Sequence, residues 1–383
     1  MWKRMLKSYD YSLIAAFLIL CLFGLMMIYS ASSVTAVQRY ELDSSYFFNK
    51  QKWHVIAAFF IFAIVSLFPY KRYKAKRFLL LITLGMFLTL FLLFLFGSVS
   101  NNAQSWFQLG TRSIQPSEFS KLVIIIYMAA VFSKKQKNIN SLNNSIAPPV
   151  IVLFLVCFLV AIEPDFGTAA IILFIGLTII LSSGIKMKKL AKFALLLAIF
   201  GVILSPLFIW QKDNILSEER MSRVTSYLDP FKYEEDDGYH LVNSYLAIGS
   251  GGLTGLGLGQ SVQKLGYLPE PHTDFIMAVI AEELGVFGAF ITIGGLAFIV
   301  LRGLRTSMKC SDPFGAMLAV GISSMIGIQS FINLGGVSGV IPITGVPLPF
   351  ISYGGSSLIL LSISMGILVN ISMHTKYEKN YKS

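Results

Sequence analysis

Long apolar runs alternate with short polar ones along this chain, and the alternation predicts its architecture. A helix that spans a bilayer needs about 20 predominantly apolar residues. Runs of this kind lie at residues 11–33, 53–70, 77–97, 117–134, 147–163, 166–184, 190–211, 273–303, 313–335 and 351–373. The first follows Met1–Asp10. It is too long for a cleaved signal peptide and lacks a small-residue cleavage pattern, so it is expected to stay as an anchor. The expected fold class is all-α: a polytopic membrane protein with about ten transmembrane helices, built as one domain over residues 1–383.

Three polar-rich segments interrupt this pattern. The longest, residues 212–272, carries Tyr227, Phe231, Tyr245 and Tyr267. A long loop in a compact protein is usually functional or disordered, and these aromatics predict one folded against the bundle. Residues 335–350 (GGVSGVIPITGVPLPF) are too rich in glycine and proline to continue a helix cheaply. At membrane depth such backbone must be buried in protein or line a cavity. The third segment is 98–116.

Composition narrows the class. The chain has 383 residues, 55% apolar and 13% charged, with a mean hydropathy of +0.69. Soluble domains carry about 25% charged residues. This excludes a soluble globular enzyme, a disordered protein and a nucleic-acid binder. The net charge of +11 follows from topology. Basic residues gather in alternate loops: Lys3, Arg4 and Lys7; Lys71, Arg72, Lys74, Lys76 and Arg77; Lys134, Lys135 and Lys137; Lys186, Lys188, Lys189 and Lys192; Arg302, Arg305 and Lys309; Lys376, Lys379 and Lys382. Most acidic residues lie elsewhere. Lysine and arginine in short loops mark the cytoplasmic side, so both termini are expected there. The three polar segments then share the outer face. Cys21, Cys157 and Cys310 have neither metal-ligand spacing nor a disulfide framework.

Ionisable residues within apolar segments are costly and point to function. In QPSEFSKL, Glu118 and Lys121 are three apart at a helix start and share a face. They read as a structural ion pair or as a cation for an anionic head group. In EPDFGT, Glu163 and Asp165 border a helix break. The acids face water there, or Asp165 faces a central cavity. In PEPHTDFIMAVIAEELG, Thr273 or Asp274 suits a helix N-cap, and Asp274 equally suits a general base at a cavity mouth. Glu282 and Glu283 lie two turns deeper, so at least one needs a cavity or a partner. Asp274 and Glu282 are eight residues apart, about 12 Å along a helix, a poor match to a glycosidase pair. His272 has no second ligand at zinc spacing. The run GSGGLTGLGLGQ lacks the lysine of a phosphate-binding loop and reads as a flexible or tightly turning loop. No internal repeat is visible, which weakens a transporter reading.

These motifs, in this order, resemble the SEDS family (shape, elongation, division and sporulation), the polytopic peptidoglycan glycosyltransferases. The resemblance runs from DYSLIAAFLILCLFGLMMIYSAS through QSWFQLGTRSIQPSEFSKL, EPDFGTA, NSYLAIGSGGLTGLGLGQ and LPEPHTDFIMAVIAEELG to QSFINLGGVSGVIPITGVPLPFISYGGSSL. The early motifs and SFINLGGVSG are most similar to the cell-division branch, with the elongation and sporulation branches close behind. The resemblance implies ten spans and polymerisation of lipid II. The glycan strand leaves its undecaprenyl pyrophosphate and joins the 4-hydroxyl of an incoming lipid II sugar. It puts the catalytic acid on Asp274 and supporting groups on Glu118, Lys121 and Asp165. His272, Glu282 and Ser356, in the run Gly354–Ser357, are added as candidate supporting residues whose roles it does not settle. It implies a class B penicillin-binding protein, a transpeptidase, and divisome membrane proteins as partners. No cofactor is specified; a divalent cation, Mg or Mn, is compatible with the departing diphosphate. The competing reading is a carrier moving the lipid-linked precursor across the bilayer.

Overall fold

A computed structural model describes residues 2–100, 103–109, 112–136, 139, 141, 145–163, 165–186, 188–189, 191, 226–234 and 238–381. Its helices are α1 (Trp2–Ser8), α2 (Tyr11–Tyr40), α3 (Tyr46–Leu67), α4 (Lys76–Phe96), α5 (Pro116–Lys134), α6 (Ala147–Ile162), α7 (Phe166–Ser182), α8 (Tyr239–Gly251), α9 (Ile276–Lys309), α10 (Pro313–Val337) and α11 (Gly355–Tyr381). Among the described residues seven helices are long and apolar enough to cross a membrane, and α6 and α7 are shorter apolar helices. The protein is thus a multi-pass membrane protein. Apart from residue 191, the expected span at 190–211 lies outside the described residues, as does all of 212–225.

Helices α5, α10 and α11 are buried on nearly all faces. The outer helices α3 and α4 expose large apolar side chains such as Trp53, Phe60, Leu81 and Phe96. In water this would be unstable, but acyl chains are as apolar as leucine. Two polar ties close the lysine-rich end. Asn370 of α11 accepts from Tyr70 N at 2.9 Å and donates to Ser66 O at 2.8 Å. Arg302 of α9 pairs with Asp10 at 2.7 Å, ahead of α2.

One departure from an all-helical reading lies at the opposite end. Three short strands, β1 (Ser98–Ser100), β2 (Ala103–Leu109) and β3 (Arg112–Ile114), form a small antiparallel sheet in the order β1-β2-β3. Phe107 pairs with Ile114, and Trp106 with Ser98.

The described part of the long polar segment, residues 226–234 and 238–272, is tied to the bundle: Tyr227 Oη donates to Val340 O at 2.9 Å and Ser244 Oγ to Val337 O at 2.8 Å. Helix α8 packs along α9, and the glycine-rich run after it turns tightly. The chain of α9 breaks at Gly285 (φ 60°, ψ −149°). Glu282 O and Glu283 O accept from Leu256 N and Gly257 N, both at 2.9 Å, and Val286 N donates to Gly252 O at 3.2 Å. The loop thus docks backbone to backbone on the kink. A Cβ at Gly255 would lie 2.2 Å from Glu283 O, and its φ is +77°. The left-handed backbone alone costs an L-residue roughly 1–2 kcal/mol, and the overlap with main chain adds to that. Gly255→Ala is therefore expected to lower the thermal midpoint in detergent clearly, whereas Gly249→Ala, with open space around it, is expected to leave it near that of the wild type.

Candidate active site

Five segments meet at the end of the bundle opposite the lysine-rich one. Glu118 and Lys121 sit in the first turns of α5, which Pro116 opens without losing a helical hydrogen bond. Their ion pair is 2.6 Å long and both side chains are buried. Lys121 Nζ also donates to Gln329 Oε1 of α10 at 3.2 Å, and Gln329 Nε2 donates to Pro347 O at 3.1 Å. Asp165 caps α7, accepting from Thr168 N at 3.0 Å. Its other oxygen accepts from Gln115 at 2.9 Å and Ser117 at 3.4 Å, so the QPSE run is tied to the start of α7. Burial raises the Asp165 carboxyl above the usual carboxylate range.

Asp274 stands in the turn before α9. The N-cap of that helix is Phe275, without a side-chain capping bond. The cap position thus falls on Phe275, one residue past Asp274, and not on Thr273 or Asp274 as expected. Three successive carbonyls hold this turn. His272 O accepts from Tyr353 N at 2.9 Å, Thr273 O from Ser352 Oγ at 2.6 Å, and Asp274 O from Asn333 Nδ2 at 2.9 Å. The Asn333 amide also donates to Val346 O at 2.8 Å. The half-buried carboxylate of Asp274 lies beside Gly345, where a Cβ would come within 3.5 Å of Oδ2. Across the same loop, a Cβ at Gly167 of α7 would meet Val346 at 3.2 Å. Residues 344–347 thus form a wall shared by Asp274 and the Glu118–Lys121–Asp165 group. Such a rigid support is what a positioned catalytic group requires.

Residues 11–377 match the cell cycle protein family FTSW_RODA_SPOVE. The chain belongs to this family. A probable peptidoglycan glycosyltransferase FtsW of Bacillus subtilis is 56% identical over 382 residues, covering 100% of this chain and 95% of that protein. The stage V sporulation protein E of the same organism is 38% identical, covering 97% and 98%. Among solved structures, a chain of a peptidoglycan synthase complex that coordinates polymerization and crosslinking superposes with a TM-score of 0.72 at 23% identity, covering 96% and 98%. Thermus thermophilus RodA superposes with 0.68 at 22% identity, covering 98% of each chain. At these identities the two structures establish the fold.

Other family motifs are placed differently from Asp274. His272 is 2% exposed and boxed by the rings of Phe47 and Tyr353 at 4.4 and 5.6 Å. Burial, then the charge of Arg39, hold its pKa down to about 4, so the ring is neutral near pH 7. Glu282 turns away from the site. It accepts from Ser261 Oγ, and from Val262 N at 2.9 Å and Gln263 N at 3.3 Å, so it fastens the outer loop. Glu283 pairs with Lys264 at 2.6 Å and accepts from Ser30 at 2.7 Å. Ser356 is buried in the first turn of α11, beside Gly355, which abuts His54 of α3.

The water-facing reading of EPDFGT fails for Glu163, which is 3% exposed.

The amides Gln329 and Asn333 were not singled out from the sequence. Their signal was two amide side chains four apart in the otherwise apolar span 313–335, which puts both on one helix face. Among the described residues no group of three or more His, Cys, Asp or Glu side chains forms a metal-ligand set.

Proposed function

We propose that this protein is a peptidoglycan glycosyltransferase that polymerises lipid II at the outer face of the cytoplasmic membrane, with Asp274 as the general base. The observation that carries the reading is that Asp274 stands beside the 344–347 wall in a turn whose three successive carbonyls are each held by a hydrogen bond. A base must be held within hydrogen-bond reach of the proton it removes. Here that proton belongs to the 4-hydroxyl of the acceptor sugar. The hydroxyl oxygen attacks the anomeric carbon of the lipid-linked strand, and undecaprenyl diphosphate departs as an anion. That leaving group needs no strong general acid, so one carboxylate suffices where a glycosidase uses two.

Lys121 is fully buried and paired with Glu118, which favours a bracing role for this pair. Through Gln329 it supports the wall beside Asp274. It acts on the diphosphate only as the positive end of a fixed dipole, across a low-dielectric gap. Gln115 and Ser117 hold Asp165 in the same brace. The lysine-rich end, with both termini, faces the cytoplasm by the positive-inside rule. The high identity to a FtsW protein supports a place in septal synthesis, with a class B penicillin-binding transpeptidase and divisome membrane proteins as partners.

The test uses the full chain, purified with its transpeptidase partner and given lipid II. Glycan strands and released undecaprenyl diphosphate are expected. Movement of lipid II across vesicles without any polymer would replace this reading with the carrier.

A further inference from the structure

We infer that the hairpin formed by α8 and residues 252–267 is embedded in lipid, its leucines entering the leaflet on the Asp274 side. Residues 238–263 contain no lysine, arginine, aspartate or glutamate. The next charge, Lys264, is buried against Glu283 at 2.6 Å, so the surface of this stretch stays uncharged until Glu270. Over the same residues large apolar side chains point outward: Leu246, Leu253, Leu256, Leu258, Val262 and Leu265 are all exposed, Leu253 at 73%. Water-facing patches of this size and continuity are rare on soluble surfaces.

The patch is continuous with a surface already assigned to lipid. From Ile276 to Glu283 every residue of α9 is buried, and from Val286 the helix exposes an apolar face that includes Phe287 and Phe290. Val286 N donates to Leu253 O at 3.2 Å, so the most exposed leucine of the hairpin adjoins the first exposed residue of that face. Tyr267 is also exposed, where the hairpin returns toward Glu270 and Arg39. Tyrosine is favoured at the membrane–water boundary. The interior of the hairpin meets the demands of lipid. Irregular backbone at membrane depth must be paired within protein, and Gly255 N, Leu256 N and Gly257 N all donate to main-chain carbonyls. Its buried charges, Glu282, Glu283 and Lys264, all have partners. The segment is thus a re-entrant hairpin whose lipid anchor and carboxylate fastenings hold the same loop from two sides.

The test labels the full chain in vesicles. Cys21, Cys157 and Cys310 are replaced by alanine, and a single cysteine is introduced by Leu256→Cys, by Leu253→Cys, or at the exposed loop position Asp43→Cys as reference. Each carries an environment-sensitive fluorophore in phosphatidylethanolamine–phosphatidylglycerol vesicles. The labels at 256 and 253 are expected to emit at shorter wavelength than the label at 43. Nitroxide-bearing lipids should quench them several-fold more strongly, and aqueous iodide several-fold less. Equal iodide quenching at all three sites would overturn the inference. So would protection at 256 and 253 that arises only when the transpeptidase is added, because the patch would then be a protein interface.

Discussion

Asp274→Asn is expected to abolish detectable glycan synthesis from lipid II, a fall of between about 10²- and 10⁴-fold if only general-base catalysis is lost. The substitution keeps size and shape. The bonds that fix the turn run through the carbonyls of residues 272–274, which asparagine leaves in place. The variant should therefore fold, bind lipid II and bind the transpeptidase as the wild type does. Asp274→Glu keeps the charge but moves it by one methylene, and a misplacement of about 1 Å can cost about 10²-fold. A glutamate variant nearly as active as the wild type would mean that the carboxylate acts through its field and not as a positioned base. Both are read by gel separation of the polymer, normalised to folded protein.

Lys121→Met is expected to have the largest effect on stability. Lys121 and Glu118 lie 2.6 Å apart with side chains 0% and 5% exposed. Removing one member leaves the other charge uncompensated in a low-dielectric interior, at a cost of roughly 3–5 kcal/mol. Gln329 also loses its donor, and through it the support of Pro347. The double variant Glu118→Gln with Lys121→Met removes both charges and should recover much of the thermal midpoint. If the double variant is as unstable as the single one, lost packing is responsible and not an orphaned charge. If the double variant recovers stability without activity, the pair contributes to the reaction beyond bracing the wall.

The spans were legible because hydrophobic length is a local property. The expected boundaries 117–134 and 313–335 fall close to Pro116–Lys134 and Pro313–Val337. The sheet at 98–114 was missed because SVSNNAQSWFQLGTRSI carries no clear period-two alternation of apolar residues. The burial of Glu163 was hidden for a different reason. EPDFGT is a good turn sequence, and a turn says nothing about which way a flanking side chain folds. The fate of Glu282 was equally out of reach, since its partners lie at residues 261–263, in the outer segment well ahead of α9 in the chain. Asn333 bonds a carbonyl 59 residues away, a pairing no local pattern announces. Motif resemblance supplied Asp274, Glu118, Lys121 and Asp165 together. The structure adds what joins them: the 344–347 wall and the two amides of α10.

The central claim is that Asp274 removes the proton of the acceptor hydroxyl. It is tested most directly by a structure of the Asp274→Asn chain with lipid II trapped in the acceptor position. The account predicts the sugar 4-hydroxyl within about 2.6–3.2 Å of the residue 274 side chain, with the diphosphate of the donor on the far side of the anomeric carbon. A head group seated elsewhere, with residue 274 turned toward acyl chains, would contradict it.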